Sequence, residues 1–252
     1  MEMVLLTALG VGGATVIGAL LGFLFKEVSH RFSDAVLAFA AGVMLAAAVL
    51  GLILPSLDGE TGGSLLITVV GIFCGALCLN LMDKLVPHLH HLSGVDGEAH
   101  PAKTEQVNKV LLFVLAIAIH NLPEGIAAGV GFGTGNTGEA MAIAIGIALQ
   151  NIPEGMVIIA PMLAAGITPA RTFIIALFTG IVEVLGALLG FFAVSISSAI
   201  LPFALAFAGG TMLYVISDEM IPETHAHGCE CGATYSLLAG FCLMLGMTQW
   251  LG

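Results

Sequence analysis

The sequence predicts an all-α integral membrane protein of eight transmembrane helices in a 3+2+3 inverted-repeat bundle, with both termini outside. Three observations lead there: repeated apolar stretches of bilayer-spanning length, a scarcity of charge, and the confinement of every cation to alternate loops. Of 252 residues, 58% are hydrophobic and only 9% charged, whereas a soluble domain carries about a quarter charged residues.

In chain order the spans are expected at roughly 3–25, 34–55, 64–87, 107–133, 139–165, 170–194, 199–222 and 234–251, each near the ~20 residues that cross a bilayer, in one domain covering 1–252. The first has no charged pre-segment and no small-residue cleavage site, so it reads as a span rather than a signal peptide. Gly and Ala dominate many spans, which allows helices to pack closely in lipid. Cys74 and Cys78 in span three and Cys242 in span eight read as small packing groups. Between spans three and four lies the one long polar stretch, 88–106, with His88, His90, His91 and His100 among acidic and basic residues. It reads as a mobile loop that binds metal weakly.

The six cations orient the bundle. Lys26 and Arg31 fall between spans one and two, Lys84, Lys103 and Lys109 between three and four, and Arg171 between five and six. By the positive-inside rule that face is cytoplasmic. The net charge of −11 does not mark an acidic surface, because several acids sit inside spans. Asp58, Glu60 and Glu139 are expected outside, where attraction of cations is one reading.

Two internal repeats stand out. His120-Asn121-Leu122-Pro123-Glu124-Gly125 in span four recurs thirty residues later in span five as Gln150-Asn151-Ile152-Pro153-Glu154-Gly155. A fainter echo links residues 38–45 of span two (AFAAGVML) to 206–213 of span seven (AFAGGTML). Both pairs join spans that run in opposite directions, which gives the inverted repeat, a transporter signature.

Ionisable groups at mid-membrane are expensive, so a functional role is their default reading. Glu124, Glu154 and Glu183 lie in spans four, five and six, together with His120, Asn121, Gln150 and Asn151. An i to i+4 spacing puts His120 over Glu124, and Gln150 over Glu154, on one helix face. Imidazole and carboxylate together suit zinc and its first-row neighbours. Pro123 and Pro153 free the carbonyls of Ile119 and Leu149 by lacking an amide hydrogen. Mutual satisfaction by interhelical hydrogen bonds would explain one such residue, but not two copies of a six-residue pattern plus a third glutamate.

The paired motifs, with a glutamate in span six, resemble the ZIP family of zinc-regulated, iron-regulated transporter-like metal transporters, on its prokaryotic side. The resemblance covers the whole chain and implies uptake of a divalent metal toward the cytoplasm through a site between spans four and five. It implies that His120, Glu124, Gln150 and Glu154 hold a first ion, with Met44 of span two contributing a thioether. Asn121, Asn151 and Glu183 then complete an adjacent second site, bridged by Glu124 and Glu154. Gln150 stands where many relatives carry histidine, and Asn151 where some carry aspartate; both changes weaken the ligand set. Without the resemblance, Met44 reads as a gap-filler.

At the inner end of span seven, Asp218, Glu219, Glu223 and His225 read either as an exit path for metal or as a solvated helix end. His227, Cys229 and Cys231 follow; the single residue between the thiols is not the common structural-zinc spacing, and a soft-metal relay and a plain loop both stay open. The expected substrate is zinc, with cadmium, iron, manganese and cobalt left open by sequence. Expected partners are metal ions and the bilayer, not nucleic acid, and a homodimer is left open. An intramembrane metallohydrolase is the alternative from another class, but no His-Glu-x-x-His helix is present. A metal-sensing receptor is a third.

Overall fold

The computed structural model describes residues 1–24, 29–59, 62–92 and 102–251. Lys26, Glu60 and His100 lie outside them, and His88, His90, His91, Lys103 and Lys109 lie in helix whose side chains fall outside the description. Every regular element among the described residues is helical: α1 (Glu2–Leu24), α2 (His30–Ala46), α3 (Leu65–Leu92), α4 (Ala102–Gly131), α5 (Thr137–Ala164), α6 (Pro169–Ile196), α7 (Leu201–Val215), α8 (Ile221–His225) and α9 (Glu230–Leu251). Seven spans among the described residues have the length and apolar composition to cross a membrane. The stretch carrying α7 and the short α8 counts as one of them, Ser198–His225. The remaining predicted span lies in α4, which has 30 residues. A bilayer-facing exterior explains why Phe73, Phe178, Leu189 and Trp250 stand exposed, an arrangement that invites aggregation in water.

Local signals set the helix ends. The Ser29 hydroxyl accepts from the Phe32 amide, and the Asn136 side chain accepts from the amides of Gly138 and Glu139, capping α2 and α5. Pro169 opens α6, where a missing amide hydrogen costs nothing. Two spans loosen near one end: α2 continues as a π-helical stretch, Ala47–Ile53, and α7 as another, Ile216–Met220. A proline follows each, Pro55 and Pro222, and cannot donate the bond that would restore the regular ladder.

Glycine lets the helices meet backbone to backbone, and the meetings recur in register. A side chain at Gly18 would strike the Ile152 carbonyl, and one at Gly155 the Thr15 carbonyl, locking α1 to α5. The same holds between α6 and α4, with Gly186 against Leu122 and Gly125 against Glu183. Each α1 position maps to α6 by adding 168, and each α5 position to α4 by subtracting 30. Gly12 and Gly180, also 168 apart, face each other's carbonyl. Gly42 of α2 meets α9 at Leu237, and its counterpart Gly210 of α7 meets α3 at Ile72. The residues that echo in sequence thus occupy matching contacts. The main core, with Val43, Met44, Ile143, Ile147, Leu205 and Met212, lies among α2, α5 and α7.

Candidate functional site

The two six-residue motifs sit midway along α4 and α5, and the glycines ending them bring α6 and α1 close. Asn121, Glu124, Gln150, Asn151 and Glu183 are all buried, as is His120, while Glu154 is partly open. The three glutamates come within electrostatic reach of one another, Glu124 and Glu183 each sensing Glu154. The Glu124 carboxylate faces the Gln150 amide, but neither side chain forms a hydrogen bond of good geometry. Both polar atoms of the Asn121 side chain and the Asn151 oxygen also make none. Buried polar atoms are nearly always partnered, and each one left over costs about 1–3 kcal/mol. Four such side chains at one depth, two on each motif, mark a place prepared for something the protein itself does not supply.

Glu183 is the exception in the group. Its Oε2 accepts from the Thr15 hydroxyl at 3.1 Å, and its Oε1 accepts from the Asn151 amide nitrogen. That nitrogen also donates to the Val11 carbonyl at 3.2 Å. Met44, the expected thioether ligand, is fully buried in the main apolar core. Among the described residues, no three His, Cys, Asp or Glu side chains converge tightly enough to enclose an ion by themselves. Amides from Asn and Gln make up the remainder of the cluster.

A cavity of about 870 Å³ leads from the end of the bundle that holds the α2 N-terminus and α8 down to His120 and Glu154. Asp218, Glu219 and Glu223 line it, as predicted for an exit path, and Glu219 Oε1 lies 2.8 Å from His120 Nε2. The deeper amides, Glu124 and Glu183 are not on its wall, so the cavity stops one layer short of them. His225 is turned elsewhere: its ring meets the Ile221 carbonyl at 2.9 Å and the Thr234 hydroxyl at 3.3 Å. His227 lines the cavity in its place and pairs at 3.1 Å with Asp34, a buried acid of α2. Cys229 and Cys231 line a shallower hollow beside it, which shares Asp34.

Sequence reasoning did not find Thr15, Val11 or Asp34. A lone buried hydroxyl in a Gly- and Ala-rich span was the available signal for Thr15, since polar side chains in such spans bond across helices. Asp34 sits at a predicted span boundary, where a charge is unremarkable by pattern.

Comparison with known proteins adds an independent line. The profile of the family described as ZIP Zinc transporter matches residues 95–249. The chain is 41% identical to the zinc transporter GufA of Myxococcus xanthus, covering 98% of each. It is 39% identical to the zinc transporter ZIPB of Bordetella bronchiseptica, over 95% of this chain and 78% of the relative. Zinc transporter ZIP11 of Homo sapiens is 31% identical, over 95% and 94%.

Proposed function

The chain belongs to the ZIP zinc transporter family, and from that premise we propose that it carries zinc into the cytoplasm through a site between α4 and α5. The observation that carries this reading is the buried group of unpartnered donors and acceptors on Asn121, Glu124, Gln150 and Asn151. A divalent cation is what such a group, set beside three carboxylates, can bind. The ligands are weak and mostly neutral, which suits a substrate that must leave again. Relatives named as zinc transporters support transport over hydrolysis or sensing.

Two adjacent ions fit the charge. His120, Glu124, Gln150 and Glu154 hold the first, with Met44 as the candidate thioether; Asn121, Asn151 and Glu183 complete the second, with Glu124 and Glu154 bridging. The first is the tighter, since only it has an imidazole. Three carboxylates against two divalent ions leave one net positive charge, and bridged ions lie about 3.5–4 Å apart. The matching contacts 168 residues apart support the 3+2+3 inverted repeat, with the α4–α5 pair at its centre. Confinement of the cations to one face supports outside termini in a cell inner membrane. On that orientation the cavity opens inward, and Glu219 takes metal from His120 toward Asp218 and Glu223.

Two experiments test the reading. Expression in a zinc-uptake-deficient host should restore accumulation of labelled zinc; no accumulation from correctly inserted protein would favour a receptor. Anomalous scattering from metal-soaked crystals should give two neighbouring peaks in the parent and one, beside His120, in Glu183→Ala. A single peak in the parent at saturation, or none in the variant, would rule out the two-ion assignment.

A further inference from the structure

We propose that α1, which supplies no ligand, is the positioning element of the second cation subsite, acting through the Thr15 hydroxyl and the Val11 carbonyl. The inference rests on the two-ion reading above. Thr15 and Val11 are one helical turn apart on α1, so they share a face. That face meets the two elements that carry Asn151 and Glu183. Gly18 and Gly155 bring α1 against α5, and the Gly12–Gly180 contact brings it against α6. No lipid or water can intervene, because the contacts are backbone to backbone.

The hydrogen bonds then fix which atoms a cation would meet. Asn151 spends its amide hydrogens on two acceptors, the Val11 carbonyl and Glu183 Oε1. Since both partners only accept, the side chain cannot be turned end for end, and its oxygen is the atom left over. That oxygen is buried and makes no hydrogen bond. Glu183 is held at both oxygens, by Thr15 and by Asn151, which sets the plane of its carboxylate while leaving lone pairs on each oxygen. A threonine in a helix usually turns its hydroxyl back to the carbonyl four residues earlier. Here that carbonyl is Val11's, already engaged by Asn151, and the Thr15 hydroxyl reaches α6 instead.

The repeat supplies the reason for a hydroxyl at this point. Thr15 is the counterpart of Glu183 under the shift of 168 that relates α1 to α6. One half of the molecule gives a carboxylate and the other a neutral donor aimed at it. A second carboxylate at position 15 would repel the first; a donor steadies it.

The test uses the full chain, purified and reconstituted, in four forms: parent, Thr15→Val, Thr15→Ser and Glu183→Ala. Zinc binding is titrated to saturation, and initial zinc uptake is measured against zinc concentration. Thr15→Val, which keeps the shape and loses the hydroxyl, should weaken the second binding step about tenfold or more, the scale of one hydrogen bond to a charged group. The first step should stay within about twofold, and half-saturation of uptake should rise while thermal stability changes little. Thr15→Ser should restore the second step. A merely structural hydroxyl would lower stability and leave the ratio of the two steps unchanged, and that result overturns the proposal. So does a serine variant as defective as valine. If the parent binds one ion, or Glu183→Ala still binds two, the two-ion reading itself fails and takes this proposal with it; a normal second step in Thr15→Val alone overturns only the role of α1.

Discussion

The contact between α1 and α5 makes a quantitative prediction at Gly18. An added Cβ there would overlap the Ile152 carbonyl and stand 2.8 Å from its carbon and 2.9 Å from its Cα. Carbon–carbon contact is comfortable at about 3.5 Å, so α1 and α5 must part by about 0.6 Å or more. Neither partner is a side chain able to rotate away, which puts the cost near the upper end of the overpacking range, about 3 kcal/mol. Alanine returns up to about 1 kcal/mol through its better helix propensity. The net loss is then about 2 kcal/mol, which for a chain of this size lowers the apparent melting temperature by about 4–8 °C. Gly13, on the same helix, has nothing within 4 Å of its Cβ position. Gly13→Ala should therefore match or slightly exceed the parent. Function should follow stability, because Ile152 lies between Asn151 and Glu154, and moving it shifts both proposed ligands. The assays are thermal unfolding of the solubilised protein and zinc uptake by the reconstituted one. If Gly18→Ala and Gly13→Ala behave alike in both, the close approach of α1 and α5 is wrong.

Three further outcomes are expected. His120→Ala and Glu124→Ala should each abolish zinc uptake with insertion unchanged, measured by labelled-zinc accumulation against membrane-inserted protein; residual uptake above a tenth of the parent would place the first ion elsewhere. Cysteines introduced near residues 59 and 137 should react with an impermeant thiol reagent added outside, and one near residue 97 should not; the reverse pattern inverts the orientation and the direction of transport. Deleting residues 88–100 should alter metal sensitivity yet leave measurable uptake, and complete loss from a folded, inserted variant would make that loop part of the pathway.

The helices, their order and the motif residues were legible in the sequence because they follow from properties local to the chain. An apolar run of bilayer length must satisfy its backbone internally, so hydropathy gave the spans to within a few residues at most ends. A six-residue pattern repeated thirty residues apart announced itself for the same reason. What sequence could not place are contacts between residues far apart in the chain. Thr15 and Glu183 are joined across 168 positions, and Asp34 and His227 across 193. No local pattern links them, and in a chain this rich in Gly and Ala many helix pairings are sterically open. Spacing also could not separate His225 from His227, two residues apart. Only the tertiary structure, by ending α8 at His225 and turning the chain at Gly228, gives one histidine to Ile221 and Thr234 and the other to the cavity wall beside Asp34. Burial of apolar length decides that a helix forms and crosses. Which backbones approach closely, and so which polar groups meet, is decided by glycine positions on different helices acting together.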